Sequence, residues 1–256
     1  MQPRKPYRPV SRLRQATVFL SKVLILLSLA GGGTYAFGRY IVESPRFLVR
    51  SINVEGENIL QEEEILRAAG ITTQDNLLLF PLDEVRDRVV AMPYVATCKI
   101  ERGYPDSVVI RLVERIAAAV LMVENRAYEI DVEGNVLREV ASYAPSALPL
   151  ITNLPELSAV SAGQRLEQPA LRMAMALWDT LRTSPLVEQL SLSEISAQGP
   201  EDLRVFFDEL NYETRWGRSD FSEQSERLLA LWHEKGGALP CKDYLDLRFD
   251  ENLVCR

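Results

Sequence analysis

The feature that most constrains this chain is a long apolar run near its N-terminus. From Ala16 to Phe37 the only charged residue is Lys22, and the others are apolar or carry small hydroxyl groups, apart from Tyr35. As a helix, these positions would extend about 33 Å, close to the hydrocarbon thickness of a bilayer. Lys22 lies near the basic end, where its long side chain can reach the headgroups. The run therefore predicts a single transmembrane helix, which we place at residues 16–38.

The charges on either side of this run predict its orientation. Residues 1–22 hold six basic residues and no acid, whereas the rest of the chain holds 23 basic and 36 acidic residues, a net charge of −13. Under the positive-inside rule, a basic segment before the span places the N-terminus in the cytoplasm and the body outside. The acidic body also argues against nucleic-acid binding, which requires a basic face.

A cleavable signal peptide is the alternative interpretation of the same run. Ser28-Leu29-Ala30 and Thr34-Tyr35-Ala36 both resemble small-x-small cleavage sites. The basic region is long for a signal peptide, and the apolar segment exceeds the usual core of about 7–15 residues. These differences favour a retained anchor, and both interpretations export the body.

The first part of the body, residues 47–115, predicts the order β-α-α-β-β from its changes of hydrophobic period. The predicted elements are a strand (47–54), two helices (60–70 and 83–91) and two strands (94–102 and 107–115). The last two strands are joined by Gly103-Tyr104-Pro105-Asp106. A Pro-Asp pair between alternating runs is a hairpin signal, because proline fixes φ and aspartate bonds the turn backbone.

The second part, residues 117–256, predicts a mostly antiparallel β domain with two helices. The predicted elements are a strand (117–123), a hairpin around Glu133-Gly134-Asn135, a helix (168–183), strands (188–196, 202–208 and 211–216), a helix (220–234) and a terminal strand from Tyr244. The fold class is therefore α+β behind one transmembrane helix.

The terminal strand carries one apolar side. Alternation places Leu245, Leu247 and Phe249 on this side of an extended chain. Tyr244, Asp246 and Arg248 fall on the other side. A strand at the end of a sheet leaves one edge open to a partner.

The cysteines do not form a disulfide framework. Cys98 lies in a strand pattern and is expected to be a buried small hydrophobe. Cys241 and Cys255 bracket the terminal strand and could pair in an oxidising compartment. A turn near Asp250–Asn252 would not place them opposite each other, so we expect them to remain unpaired.

No catalytic, cofactor or metal motif is present in the sequence. His233 is the only histidine, and a plain helix position explains it better than a triad, since no Gly-x-Ser-x-Gly elbow exists. Glu62, Glu63 and Glu64 diverge by about 100° each along a helix and suit its positive end better than a metal ion. Glu114 and Asp131 could form the carboxylate pair of a wall hydrolase, but salt bridges explain them better.

Several motifs in this order resemble the FtsQ/DivIB family of bacterial cell-division proteins. The first-segment motifs are "INVEGEN" (52–58), "EEILRAAGI" (63–71), "DNLLLF" (75–80) and "MPYVATCKIERGYPDSVVIRLVER" (92–115). The second-segment motifs are "YEIDVEGNVL" (128–137), "WGRSDFSEQSERLLALW" (216–232) and "YLDLRF" (244–249). The chain ends at Arg256 without an extended tail, which resembles the FtsQ branch.

The resemblance implies a domain organisation and a non-enzymatic role. It implies a basic cytoplasmic tail at 1–22, the anchor at 16–38, a POTRA domain at 47–115 and an FtsQ-type β domain at 117–256. It further implies a scaffold in the inner membrane at the division septum, with no cofactor and no small-molecule substrate. The alternatives are an exported POTRA-bearing chaperone or secretion accessory, and a wall hydrolase that lacks a catalytic constellation here.

The resemblance also implies the partners. FtsB- and FtsL-like bitopic proteins would pair a segment along the last strand by β-augmentation, and the POTRA domain would contact FtsK-, FtsW- and FtsI-like proteins. The expected partner-binding residues are Tyr244, Asp246, Arg248, Phe249, Asp250, Leu253 and Val254. Helix 63–69 and strand 47–54 are the expected recruitment surfaces of the POTRA domain.

Overall fold

The N-terminal apolar run forms one long helix in a computed structural model of the chain, which describes residues 12–141, 148–217, 220–239, 241–249 and 254–256. This helix, α1, spans Arg12–Glu43. Its Ala16–Glu43 portion is long and apolar enough to cross a membrane, and none of its most apolar stretch is buried against the rest of the protein. The predicted anchor at 16–38 therefore lies wholly within α1.

The first module of the body has the predicted order β-α-α-β-β. Its elements are β1 (Ser51–Glu55), α2 (Glu62–Ala69), α3 (Leu82–Val90), β2 (Val95–Gly103) and β3 (Ser107–Glu114). The strand order is β1-β3-β2, with β1 parallel and β2 antiparallel to β3. The first strand begins later than the predicted position 47, because Pro45–Phe47 forms a 3-10 turn and Leu48 pairs with Asn76.

The core of the first module lies between its two helices and one face of its sheet. The helices contribute residues at helical spacing, and alternate residues of β3 face them. The buried residues are Ile65 and Ala69 of α2, Val85 and Val89 of α3, and Val108, Ile110 and Leu112 of β3. Cys98 packs half-buried against this core as a free thiol, and burial raises its pKa.

The second module is one large mixed sheet with two helices. Its elements are β4 (Ala119–Val123), β5 (Arg126–Ile130), β6 (Val136–Val140), β7 (Leu150–Thr152), α4 (Pro169–Leu181), β8 (Leu192–Gly199), β9 (Asp202–Phe207), β10 (Glu213–Trp216), α5 (Phe221–Glu234), β11 (Tyr244–Asp246) and β12 (Val254–Cys255). The strand order is β12-β11-β10-β9-β8-β7-β4-β5-β6. Within the described ranges, antiparallel pairings outnumber parallel ones, as predicted.

Helices α4 and α5 cover one face of this sheet. Leu171 and Met175 of α4 are buried, as their spacing predicts, and Trp178 packs partly buried beside them. Strands β9 and β10 bury alternate residues against the helices, including Trp216, which is fully buried. This packing fixes the position of β10, and therefore of the strands that follow it at the sheet edge.

Candidate partner interface at the sheet edge

The outermost strand at one end of the large sheet is β12, and it covers the edge that β11 would otherwise expose. It pairs antiparallel with β11, so that Cys255 lies opposite Leu245 and Val254 opposite Asp246. The sequence predicted that the terminal strand leaves one edge open and that Arg248 to Val254 offers it to a partner, and the structure shows that β12 covers the edge of Tyr244–Asp246. At this end of the sheet, within the described part of the chain, the open edge is therefore the outer side of β12.

The hydrogen-bond pattern shows which backbone groups of β12 face outward. The amide of Tyr244 donates to the carbonyl of Arg256 at 3.2 Å, and the amide of Arg256 donates back to Tyr244 at 3.1 Å. In an antiparallel ladder, hydrogen-bonded and non-bonded pairs alternate, so the next pair, Leu245 with Cys255, is non-bonded. The amide and carbonyl of Cys255 therefore point away from β11, towards a strand that could be added.

A disulfide holds β12 in this position. It joins Cys241, just before β11, to Cys255, and the two Cα atoms are 5.2 Å apart. The sequence-based expectation that these cysteines stay unpaired was wrong, because the chain returns antiparallel along β11 and brings its end back to where that strand begins. The carbonyl of Arg256 also accepts the amides of Lys242 and Asp243 at 2.7 and 2.6 Å.

An ion pair between the buried Asp246 and the partly exposed Arg248 lies at the end of β11. Asp246 is 3% exposed and accepts Nε and Nη2 of Arg248 at 2.9 and 2.6 Å, together with its backbone amide at 3.1 Å. Burial alone would raise the pKa of Asp246, but the hydrogen bonds and charge of Arg248 outweigh it and hold that pKa below its usual value. The sequence placed Asp246 beside the partner surface, which stays a prediction, and in the structure its carboxylate is bonded to Arg248.

We predict that Arg248→Gln destabilises the second module by about 1–3 kcal/mol at neutral pH, because it leaves a buried carboxylate without its cation. The folded pKa of Asp246 is depressed, so this difference from wild type is full above about pH 4 and disappears as pH falls through the folded pKa. Urea unfolding followed by tryptophan fluorescence measures it, since Trp178, Trp216 and Trp232 all lie in this module.

The matched control for that prediction is Lys235→Gln. Lys235 pairs with Glu234 at 2.9 Å on the surface, and both side chains are exposed. Exposed pairs contribute about 0–1 kcal/mol, so this variant should unfold nearly like wild type at every pH. Equal stability of the Arg248 variant and the control at pH 7 would contradict the role given to the buried pair.

Phe249 projects into solvent next to this ion pair. Its side chain is 52% exposed, although strict alternation placed it with the buried Leu245 and Leu247. The difference arises because β11 ends at Asp246 and the chain leaves the sheet after Leu247. Arg227 of α5 fixes this exit, since its guanidinium donates to the carbonyl of Phe249 at 2.6 Å and to that of Leu247 at 2.9 Å.

The other predicted partner-binding residues fall in different surroundings. Tyr244 is half-buried, and the guanidinium of Arg215 stacks on its ring, 3.8 Å from the centroid. Val254 is 40% exposed at the open edge. Asp250 and Leu253 lie outside the described residues. Of the predicted partner-binding residues that the structure describes, Tyr244, Phe249 and Val254 could therefore contact a partner without breaking an ion pair.

Three contributors to this edge were not predicted: Arg227, Arg215 and the disulfide. Arg227 acts through backbone carbonyls that lie 20 and 22 residues away, and no local pattern indicates such a contact. The Cys241–Cys255 pair had a usable signal, because two cysteines flank a single short strand in an exported segment.

The carboxylates considered for catalysis are engaged in structural bonds. Asp131 is buried, accepts Nη1 of Arg115 at 2.8 Å and also accepts the amides of Glu133 and Asn135. Glu114 accepts the amides of residues 59 and 60 at 2.7 and 2.9 Å. Among the described residues, no group of three His, Cys, Asp or Glu side chains could hold a metal ion.

The two expected recruitment surfaces lie on the first module. The first turn of α2 is exposed and carries Glu62, Glu63 and Glu64. Strand β1 is an edge of the three-stranded sheet, and its described residues pair only with β3. Both surfaces are accessible on the described part of the chain, and their role as recruitment surfaces stays a prediction.

Comparison with known proteins divides the chain at the same place. Residues 47–115 match the family model "POTRA domain, FtsQ-type", and residues 119–248 match "Cell division protein FtsQ/DivIB, C-terminal". The matched range ends at Arg248, so Phe249 and β12 lie just beyond it.

Full-length relatives agree with the two family models. The chain is 23% identical over 248 residues to "Cell division protein FtsQ" of Syntrophotalea carbinolica, covering 97% of this chain and 87% of the relative. It is 26% identical over 229 residues to the protein of the same name in Geobacter sp. strain M21, covering 89% and 83%. The Caulobacter vibrioides relative is 30% identical over 165 residues, covering 60% and 55%.

Proposed function

Because the chain belongs to the FtsQ/DivIB family of bacterial cell-division proteins, we propose that it is a non-enzymatic scaffold of the divisome. In this proposal it spans the inner membrane once and binds FtsB- and FtsL-type partners through the C-terminal sheet edge. It thereby links early and late division proteins to septal wall synthesis. The observation that carries the proposal is the outward-facing backbone of Cys255 at an open sheet edge, together with the exposure of Phe249 and Val254.

The mechanism of binding is β-augmentation at β12. A partner strand would extend the sheet by bonding to the outward amide and carbonyl of Cys255, and main-chain bonds of this kind give affinity without reading sequence. Specificity would come from exposed side chains near the edge, where Phe249 offers an aromatic ring on a backbone held by Arg227 and Val254 offers a smaller apolar contact. Arg227 and the disulfide hold these groups in place before binding, which lowers the ordering cost of association.

The proposed location is the division septum, with the N-terminus in the cytoplasm and the body outside. Two observations support this orientation. The basic residues of segment 1–22 precede the apolar part of α1, as the positive-inside rule requires. The Cys241–Cys255 disulfide also suits an oxidising, extracytoplasmic compartment.

In the same proposal, the first module contacts FtsK-, FtsW- and FtsI-like proteins. The exposed acidic start of α2 and the open edge of β1 are the surfaces we assign to this recruitment. An edge strand of this kind can accept a further strand from a partner.

The test is the position of the protein in dividing cells. A fluorescent protein fused to the N-terminus, expressed in place of the native copy, should form a band at midcell. Crosslinking before isolation should recover FtsB- and FtsL-type proteins with it. Uniform envelope fluorescence without these partners would refute the proposal and favour the chaperone or secretion-accessory alternative.

A further inference from the structure

The end of α1 is fastened directly to the first module. The side-chain amide of Asn76 donates to the carbonyl of Ile41 at 2.8 Å and to that of Val42 at 3.2 Å. The last carbonyls of a helix lack partners within the helix, so Asn76 satisfies groups that would otherwise face solvent. A residue of the module therefore caps the membrane helix.

Two backbone hydrogen bonds strengthen the same connection between α1 and the first module. The amide of Val49 donates to the carbonyl of Asp75 at 3.0 Å, and the amide of Leu77 donates to Phe47 at 2.7 Å. Val49 is itself buried in the core of the module. These bonds fix the segment between the anchor and the module. The end of α1 therefore sets the distance of the module from the membrane.

This height can be estimated from the apolar run. Ile41 follows Phe37, the last residue of the run, by four positions, which is about 6 Å along a helix. The headgroup layer adds roughly 5–8 Å on each side of the hydrocarbon. Asn76 bonds to Ile41 and is therefore expected at the depth of the lipid headgroups.

Two loops lie at this anchor-proximal end of the module. Strand β1 starts beside the anchor, and Ser107 at the start of β3 lies opposite Ser51. The turn before β3 is therefore close to the anchor, as the bond of 2.7 Å from the amide of Arg50 to the carbonyl of Asp106 confirms. The second loop, 77–80, is held at the same end by Arg102, whose guanidinium donates to the carbonyls of Leu77 and Phe80, each at 2.7 Å.

The side chains exposed at this end have the chemistry of a membrane interface. Leu79 is 58% exposed and Tyr104 is 67% exposed, and Arg46 and Arg50 are also exposed, with Nε of Arg50 3.6 Å from Oδ2 of Asp106 in a surface ion pair. Tyrosine is enriched at headgroup level, a leucine there can insert among the upper acyl groups, and arginine pairs with lipid phosphates.

We propose that this lipid-facing surface, formed by Arg46, Arg50, Leu79 and Tyr104, binds phospholipid headgroups and holds the first module against the bilayer. The contact would restrict tilting of the module about the end of α1, so that the second module extends away from the membrane in a preferred direction. The inference goes beyond partner binding and shares only the retained anchor with the proposed function.

The test measures the depth of single positions in the full chain. The protein, with Cys98→Ala to remove the free thiol, is reconstituted in vesicles of phosphatidylethanolamine and phosphatidylglycerol. Nitroxide labels are placed by Leu79→Cys or Tyr104→Cys. The control position is Ile116→Cys, which is 77% exposed and follows the opposite end of β3. A fourth label, at Leu29→Cys, reports whether α1 is inserted.

Labels at 79 and 104 should collide with a water-soluble nickel complex about threefold less often than the label at 116, because the headgroup layer excludes the complex. Equal collision at 79 and 116, with position 29 protected, would overturn the inference while leaving the anchor intact. Free collision at position 29 would overturn the anchor and this inference together. If the Tyr104 variant does not fold, judged by circular dichroism, the Leu79 label alone decides.

Discussion

Loss of the Cys241–Cys255 disulfide is expected to weaken binding of the proposed FtsB-type partner by about tenfold to a hundredfold. Strand β12 has two residues, both exposed, so little side-chain burial holds it on β11. The disulfide joins positions 14 residues apart, and closing a loop of this size contributes about 3 kcal/mol in the chain-entropy model. Without it, β12 is paired in only a fraction of molecules, and the apparent Kd rises by the inverse of that fraction.

The double variant Cys241→Ser/Cys255→Ser tests this by titration with a labelled partner segment. Hydrogen exchange of the Tyr244 and Arg256 amides, which bond across β11 and β12, should accelerate in the same variant. Cys98→Ser is the matched control, because Cys98 is a free thiol in the other module and its loss should not change affinity. Unchanged affinity together with accelerated exchange would mean that the partner does not bind at β12.

The sequence predicted the architecture better than the edge, for a physical reason. Periodicity reports which residues share a buried face, so the order of the first module and the buried stripe with Leu171 and Met175 were confirmed. It also correctly predicted the burial of Leu245 and Leu247. The burial of these residues follows from their local spacing, because any amphipathic element packs its apolar face against a core.

Periodicity does not report where a strand ends or what returns to pair with it. Phe249 continues the alternation of Leu245 and Leu247, yet the strand stops at Asp246 and the ring turns to solvent. Asp246 falls on the polar side of the pattern, yet Arg248 neutralises it and allows its burial. The exit of Phe249 is held by Arg227 of a distant segment, which spacing along one strand cannot encode. The pairing of Asp246 with Arg248 is local, but a pattern of apolar and polar positions does not report which polar side chains bond to each other.

The same distinction explains the disulfide. A bridge requires Cα atoms within about 7 Å, and that distance is set by the antiparallel return of β12. The expectation of unpaired cysteines rests on a turn at 250–252. The sequence pattern does not indicate that the chain comes back to residue 241. The compartment argument pointed the other way and was the more reliable signal.

Phe249→Ala is expected to weaken binding of the same partner by about 30-fold, with little change in the stability of the second module. Aromatic residues at the centre of an interface contribute about 2 kcal/mol or more when truncated, and 2 kcal/mol corresponds to roughly 30-fold in Kd. Because half of the ring is already in water, its removal should change the free energy of unfolding by less than about 1 kcal/mol. Calorimetric titration and urea unfolding separate the two effects.

Arg227 holds the backbone that carries the Phe249 ring. Its guanidinium donates to the carbonyls of Leu247 and Phe249, so the backbone loses little conformational entropy when a partner covers the ring. Arg227→Gln should therefore weaken binding less than Phe249→Ala, by a few-fold, since the ring remains but its backbone is released. Ile116→Ala removes an equally exposed apolar side chain from another surface and should leave Kd unchanged. If the Phe249 variant binds like wild type, the ring is not part of the interface. If the variant loses stability and binding in parallel, the ring contributes to the fold instead.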